Sequence, residues 1–163
     1  MFKTILALSL LCAIPSLAHA KAFKLGDDEP VTWITIPDTW EPETYDDGVE
    51  GTSADKETYV AAEIVAGNEL DEAGKEEDKF FAKQKIKLKD ETKKEKKTTV
   101  NGLPAYDISW DATDADGPTH VSLTLVKVSD TKLLLLTYWG SAAGEKSNGA
   151  DLAEIAKSIK PIK

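Results

Sequence analysis

Lys132-Leu-Leu-Leu-Leu-Thr-Tyr-Trp139 is the stretch that decides the fold, because it is apolar at both parities. Successive side chains of a strand point to opposite faces. An extended run that is apolar on both faces therefore belongs to a strand covered from both sides. Working outward, Val121, Leu123 and Leu125 alternate and Val126 and Val128 then change parity, which makes 119–129 its neighbour. Residues 105–112 and 92–100 read as two further strands. Residues 49–54 and 58–66 flank Asp55-Lys56-Glu57 as a hairpin, and 31–36 is a β-branched, aromatic strand stopped by Pro37. The two covers are helical. Leu152, Ile155, Ala156 and Ile159 fall at i, i+3, i+4 and i+7, with Asp151 and Glu154 early, Lys157 and Lys160 late, and Pro161 as the stop. Residues 68–87 carry a rougher stripe of Leu70, Ala73, Phe80, Phe81 and Gln84, weakened by Gly74. The expected class is α+β, a mainly antiparallel sheet flanked by helices on both faces. Neither a 20–50-residue repeat nor a Gly/Ser/Pro linker divides the chain, so 21–163 is read as one domain.

The first twenty residues read as a secretory signal: Lys3, an apolar run from Ile5 to Ile14, Pro15, then Ala18-His19-Ala20 as a cleavage site. The run is half the roughly 20 residues that a membrane-spanning helix needs, so no stable membrane insertion is expected. Leu11 before Cys12 does not suit lipoprotein processing. The expected location is the periplasm or the cell exterior, after cleavage behind Ala20. From Lys21 onward there is no cysteine and no methionine, so disulfides, thiol nucleophiles and thiolate metal sites are excluded there.

The whole chain has 20 Lys and Arg, all of them Lys, against 29 Asp and Glu, and a net charge of −9. Arginine is the usual reader of phosphate and guanine edges. Its absence from an acidic chain argues against nucleic acid as a partner.

The element order carries a resemblance. A strand ending in IPDTW (36–40) is followed by a hairpin, a charged helix, VNGLPAYDISWDA (100–112), THVSLTLVKV (119–128), KLLLLTYW and LAEIAKSIK (152–160). This order, with Pro37-x-x-Trp40, Asn101-Gly102-x-Pro104-Ala105 and Ser158-Ile159-Lys160, resembles the PsbP/Mog-type α/β/α sandwich over 23–160. That group includes bacterial periplasmic proteins of the DcrB-like kind. The resemblance implies a non-catalytic accessory or adaptor protein that binds another protein, and no one ligand, since a fold does not fix a function.

Three stretches are candidate sites. In DATDADGPTH (111–120), Asp111, Asp114, Asp116 and His120 invite a metal reading. An EF-hand with its glycine at Gly117 needs acids where the chain has Ala112 and Leu123, so the favoured reading is a hairpin tip. Residues 75–97 hold ten lysines and six acids. They read as a solvated helix face followed by a lysine-guarded edge strand, and the competing reading is contact with anionic lipid. In 36–48, Trp40, Tyr45, Asp46 and Asp47 are the candidate partner-binding residues, because aromatics anchor interfaces. The competing reading buries Trp40 as a core plug. No metal site, cofactor or enzymatic activity is expected: from Lys21 onward the chain has one histidine, His120, and lacks G-x-S-x-G, H-E-x-x-H and phosphate loops. The expected protein is a monomer that docks a partner through 36–48. The alternative is a small-ligand or metal-binding protein of the cell envelope.

Overall fold

The structure is a computed structural model, and it describes residues 19–26, 29–46 and 48–162. The strands are β1 (Ala20–Leu25), β2 (Thr32–Pro37), β3 (Glu43–Tyr45), β4 (Gly48–Thr52), β5 (Thr58–Ala66), β6 (Lys87–Leu88), β7 (Lys94–Val100), β8 (Leu103–Thr113), β9 (Pro118–Lys127), β10 (Lys132–Gly140) and β11 (Lys160–Pro161). The helices are α1 (Leu70–Lys83) and α2 (Ala142–Ser158). The main sheet runs β3-β4-β5-β10-β9-β8, with β6 and β7 both paired to the outer side of β8. All its pairings are antiparallel. A small second sheet has the order β1-β2-β11.

The apolar run 132–139 is indeed the centre, as β10 between β5 and β9. Leu134 and Leu135, neighbours pointing to opposite faces, are 0% and 4% exposed. On one face Leu134 and Leu136 join Val60, Ala62 and Val126 beneath α2 and the small sheet, which contributes Phe23, Ile34 and Ile36. On the other, Leu135 and Val65 pack under Ala73 of α1, and Phe81 packs with Trp110 and Val121.

Several expectations are corrected in detail. The strand read over 31–36 is β2, Thr32–Pro37, with Pro37 as its last residue, and it lies outside the main sheet; its partners are β1 and β11, two elements with no hydrophobic alternation long enough to read. Helix α2 begins at Ala142, because Ser141 accepts a bond from the Gly144 amide at 3.0 Å and caps it. Asp151 is therefore mid-helix. Gly144 is required there: a Cβ would lie 2.6 Å from the Glu57 carbonyl of the β4–β5 hairpin. Helix α1 stops at Lys83, and Gln84 is exposed.

The hairpin in turn grips α2. The Asp55 carboxylate accepts from the hydroxyls of Ser53 (2.6 Å) and Ser147 (2.8 Å), the Glu57 amide (3.1 Å) and the Asn148 amide group (3.1 Å). These donors, Ser53 and Ser147 first, hold its carboxyl below the usual range.

Two outcomes follow. Leu134→Ala is expected to cost ~2–5 kcal/mol in urea unfolding; a loss under about 1 kcal/mol would remove it from the core. A depressed acid pKa contributes stability above the unfolded value of 3.8, and that contribution is lost as pH falls through the folded value. Thermal melts of wild type and Asp55→Ala are thus expected to differ fully at neutral pH and to converge below pH 3.8. A gap that persists undiminished in acid would contradict the carboxylate's role.

Candidate functional site

Helix α2 leans on the small sheet and leaves part of the main sheet open. The α2-side row of β8 begins apolar with Leu103 and Ala105 and continues as Asp107, Ser109 and Asp111. The matching row of β9 runs His120, Ser122, Thr124 and only then Val126. These rows are in register, Asp107 against Thr124, Ser109 against Ser122 and Asp111 against His120. Cross-strand pairs of this kind face each other directly. Opposite the polar floor stand Leu152, Ile155 and Ala156 of α2, with Leu136 at the side, and together they line an open cleft of about 440 Å³. Volumes of roughly 300–1,000 Å³ lined by apolar groups and a few polar ones are typical of small-molecule sites.

The charged groups of the cleft are already engaged. Thr124 Oγ1 donates to Asp107 Oδ1 at 2.8 Å, and Lys96 Nζ lies 3.6 Å from Asp107 Oδ2. Tyr138 Oη donates to Glu145 Oε1 at 3.1 Å; burial first, then the Glu145 charge, hold this phenol above its ordinary range. The hydroxyls of Ser109 and Ser122 make no side-chain hydrogen bond among the described residues. They stand free to donate and accept.

Serine, His120 and Asp111 on one face are the residue types of a nucleophilic triad, so their geometry matters. His120 Nδ1 is 3.8 Å from Asp111 Oδ1, beyond hydrogen-bond range, and no bond joins the imidazole to either serine. Strand β9 is paired on both sides, so the ladder consumes the backbone amides that an oxyanion site would need.

The other candidates fall elsewhere. The 111–120 stretch ends β8 and begins β9, with Gly117 at φ +132°. Asp114 turns inward onto the tip, its Oδ1 accepting the amides of Asp116 (2.9 Å) and Gly117 (3.0 Å). No group of three or more His, Asp or Glu side chains among the described residues is arranged to hold a metal ion.

In the 36–48 stretch, Trp40 is 1% exposed and its Nε1 donates to Asp151 Oδ2 at 3.1 Å, so its ring lies in the core beneath α2. Tyr45, on the edge strand β3, is 39% exposed and its hydroxyl lies 3.4 Å from Glu63 Oε2. Asp46 is exposed; Asp47 lies outside the described residues, as do Cys12 and residues 1–18. Of the lysines of 75–97, Lys75, Lys79 and Lys83 lie on α1 and Lys94, Lys96 and Lys97 on β7, which pairs with β8, while Lys85, Lys87, Lys89 and Lys93 lie on the segment between them. Among them, Lys93 sits over the Trp110 ring, 5.9 Å from its centroid.

The architecture is the PsbP-like fold. The solution structure of cyanobacterial PsbP (CyanoP) from Synechocystis sp. PCC 6803 matches with a TM-score of 0.57 at 10% identity, over 93% of this chain and 97% of that one. The crystal structure of LpqN, involved in cell envelope biogenesis of Mycobacterium tuberculosis, matches with a TM-score of 0.53 at 10% identity, over 89% and 92%. No family model and no curated protein matches the sequence. No helix among the described residues is long and apolar enough to cross a membrane.

The tip geometry separates its three aspartates. Asp114→Ala removes two charge-assisted bonds and is expected to cost about 1 kcal/mol. Asp116→Ala is expected to stay within about 0.5 kcal/mol. Chemical unfolding distinguishes them, and equal effects would contradict the inward role of Asp114.

Proposed function

We propose that the chain is an extracytoplasmic accessory protein of DcrB-like kind that works by binding, and that its binding site is the cleft between α2 and the polar rows of β8 and β9. The observation that carries this reading is the facing pair Ser109 and Ser122, partnerless hydroxyls on the floor of a cleft with an apolar wall. Free hydroxyls suit a ligand that both donates and accepts hydrogen bonds. Asp107 and Glu145 are already partnered and the chain is strongly acidic, which disfavours anions. A small, uncharged, partly apolar molecule meets all three conditions. Docking of another protein at the 36–48 edge is the second reading, favoured by Tyr45, the exposed large hydrophobic residue of the described chain.

The neutral fluorophore N-phenyl-1-naphthylamine is a direct probe of the cleft. Saturable, one-to-one fluorescence enhancement is expected with wild type. Ser122→Phe, which fills the floor, is expected to weaken it at least about tenfold, or ~1.4 kcal/mol. Tyr45→Ala is expected to leave it unchanged. Equal enhancement by wild type and Ser122→Phe would overturn the cleft as the site.

A further inference from the structure

Ala73, Glu77 and Phe81 stand at i, i+4 and i+8 on α1, so one line of the helix carries all three toward the sheet. Ala73 and Phe81 are 8% and 3% exposed. An acid thus occupies the middle of the helix's buried stripe. Its Oε1 accepts from Thr137 Oγ1 of the central strand at 2.8 Å, while Oε2 is buried with no hydrogen-bond partner among the described residues.

No cation answers this carboxyl. Glu77 takes part in none of the ion pairs of the described residues. Strand β5 presents Glu63 and Tyr59, β4 presents Glu50, β3 presents Tyr45, and α1 itself adds Glu76 and Asp78. From β10 come the neutral Thr137 and the ring of Trp139, the latter stacked on Tyr59. Each of these titratable neighbours is an acid or a phenol. Burying a charged carboxylate without a counter-ion costs far more than burying the neutral acid. The helix has little to offset that cost: besides Ala73 and Phe81 only the half-buried Leu70 and Phe80 hold it down, and Glu69 supplies no side-chain cap.

We propose that α1 is a proton-latched cover: with Glu77 protonated it lies closed on the sheet, and ionisation of Glu77 releases it, uncovering the apolar face of Val65, Leu123, Leu125 and Leu135. The latch is independent of the cleft, which lies on the opposite face. Burial, then the charges of Glu63, Asp78 and Glu76, push the carboxyl up from 4.5 to about 7, against the lowering effect of the Thr137 bond. A raised acid pKa favours the closed state most below pH 4.5, progressively less up to pH 7, and by no further change above it. That difference is worth a change of about a hundred-fold in the opening equilibrium.

Hydrogen exchange of the full chain at pH 5, 6, 7 and 8, normalised to intrinsic amide rates, tests the latch. Amides of 74–83 are expected to lose about a hundred-fold in protection between pH 5 and 8 while those of 133–139 keep theirs. Glu77→Gln is expected to hold its pH 5 protection throughout, and Asp71→Asn, exposed on the same helix and not among the charges that raise Glu77, to respond like wild type. Constant protection of α1 in wild type, an equal loss in Glu77→Gln, or loss in step with the central strand would each overturn the proposal. Should Glu77→Gln fail to fold, carboxyl carbon-13 titration of wild type decides: a midpoint near 7 for Glu77 supports the latch, and one near 4.5 overturns it.

Discussion

Leu134 and Leu135 are consecutive and both buried, which a strand permits only if something covers each side of the sheet. That requirement organises the molecule. It puts β10 in the middle, where β5 and β9 satisfy its backbone on both edges. It also calls for two separate covers, since one helix cannot reach both faces. The chain closes one face with α2 and the β1-β2-β11 sheet, and the other with α1. Even the Asp55 cluster serves this end, because it fixes the start of α2 to the hairpin whose second strand, β5, adjoins β10.

Neither cover is complete, and each gap is chemically distinct. On the α2 side the polar rows Asp107-Ser109-Asp111 and His120-Ser122-Thr124 begin where the apolar packing of Ala105 and Val126 stops. The strands continue past the edge of their cover, and water-compatible side chains take over. On the α1 side the cover extends far enough but carries Glu77 in its buried line. The first gap leaves room for a ligand; the second leaves a buried group whose charge opposes closure.

Much of this was legible in the sequence where periodicity was strong. The double-faced run 132–139, the helical stripe Leu152–Ile155–Ala156 and the hairpin around Asp55 all sit where their patterns imply, because burial imposes those patterns directly; Ile159 is buried too, but as an extended residue past the helix end, and Lys160–Pro161 leave the helix to form β11. The small sheet was not legible: β1 alternates only through Phe23 and Leu25, and β11 is a two-residue strand. The cleft has a sign in the sequence, a same-parity run of polar residues on two adjacent strands. Aligning them requires the pairing of Ser109 with Ser122, and register depends on the turn between the strands, not on either strand alone. Glu77 has no such sign: in a helix rich in acids, nothing in composition separates the one that faces inward from those that face water.

Two solved structures share this architecture at 10% identity. At that distance the pattern of burial persists while the side chains that line any site are free to change, since packing tolerates apolar exchange and a site does not. The side chains of this chain that its packing leaves without partners lie where its covers fall short: the serine hydroxyls on one face, the second carboxylate oxygen of Glu77 on the other. They are connected through one strand, because Leu136 and Tyr138 line the cleft while Thr137, between them, holds Glu77. A backbone paired on both edges is stiff, so the two sites share a scaffold without sharing a surface, and each can be altered without rebuilding the other.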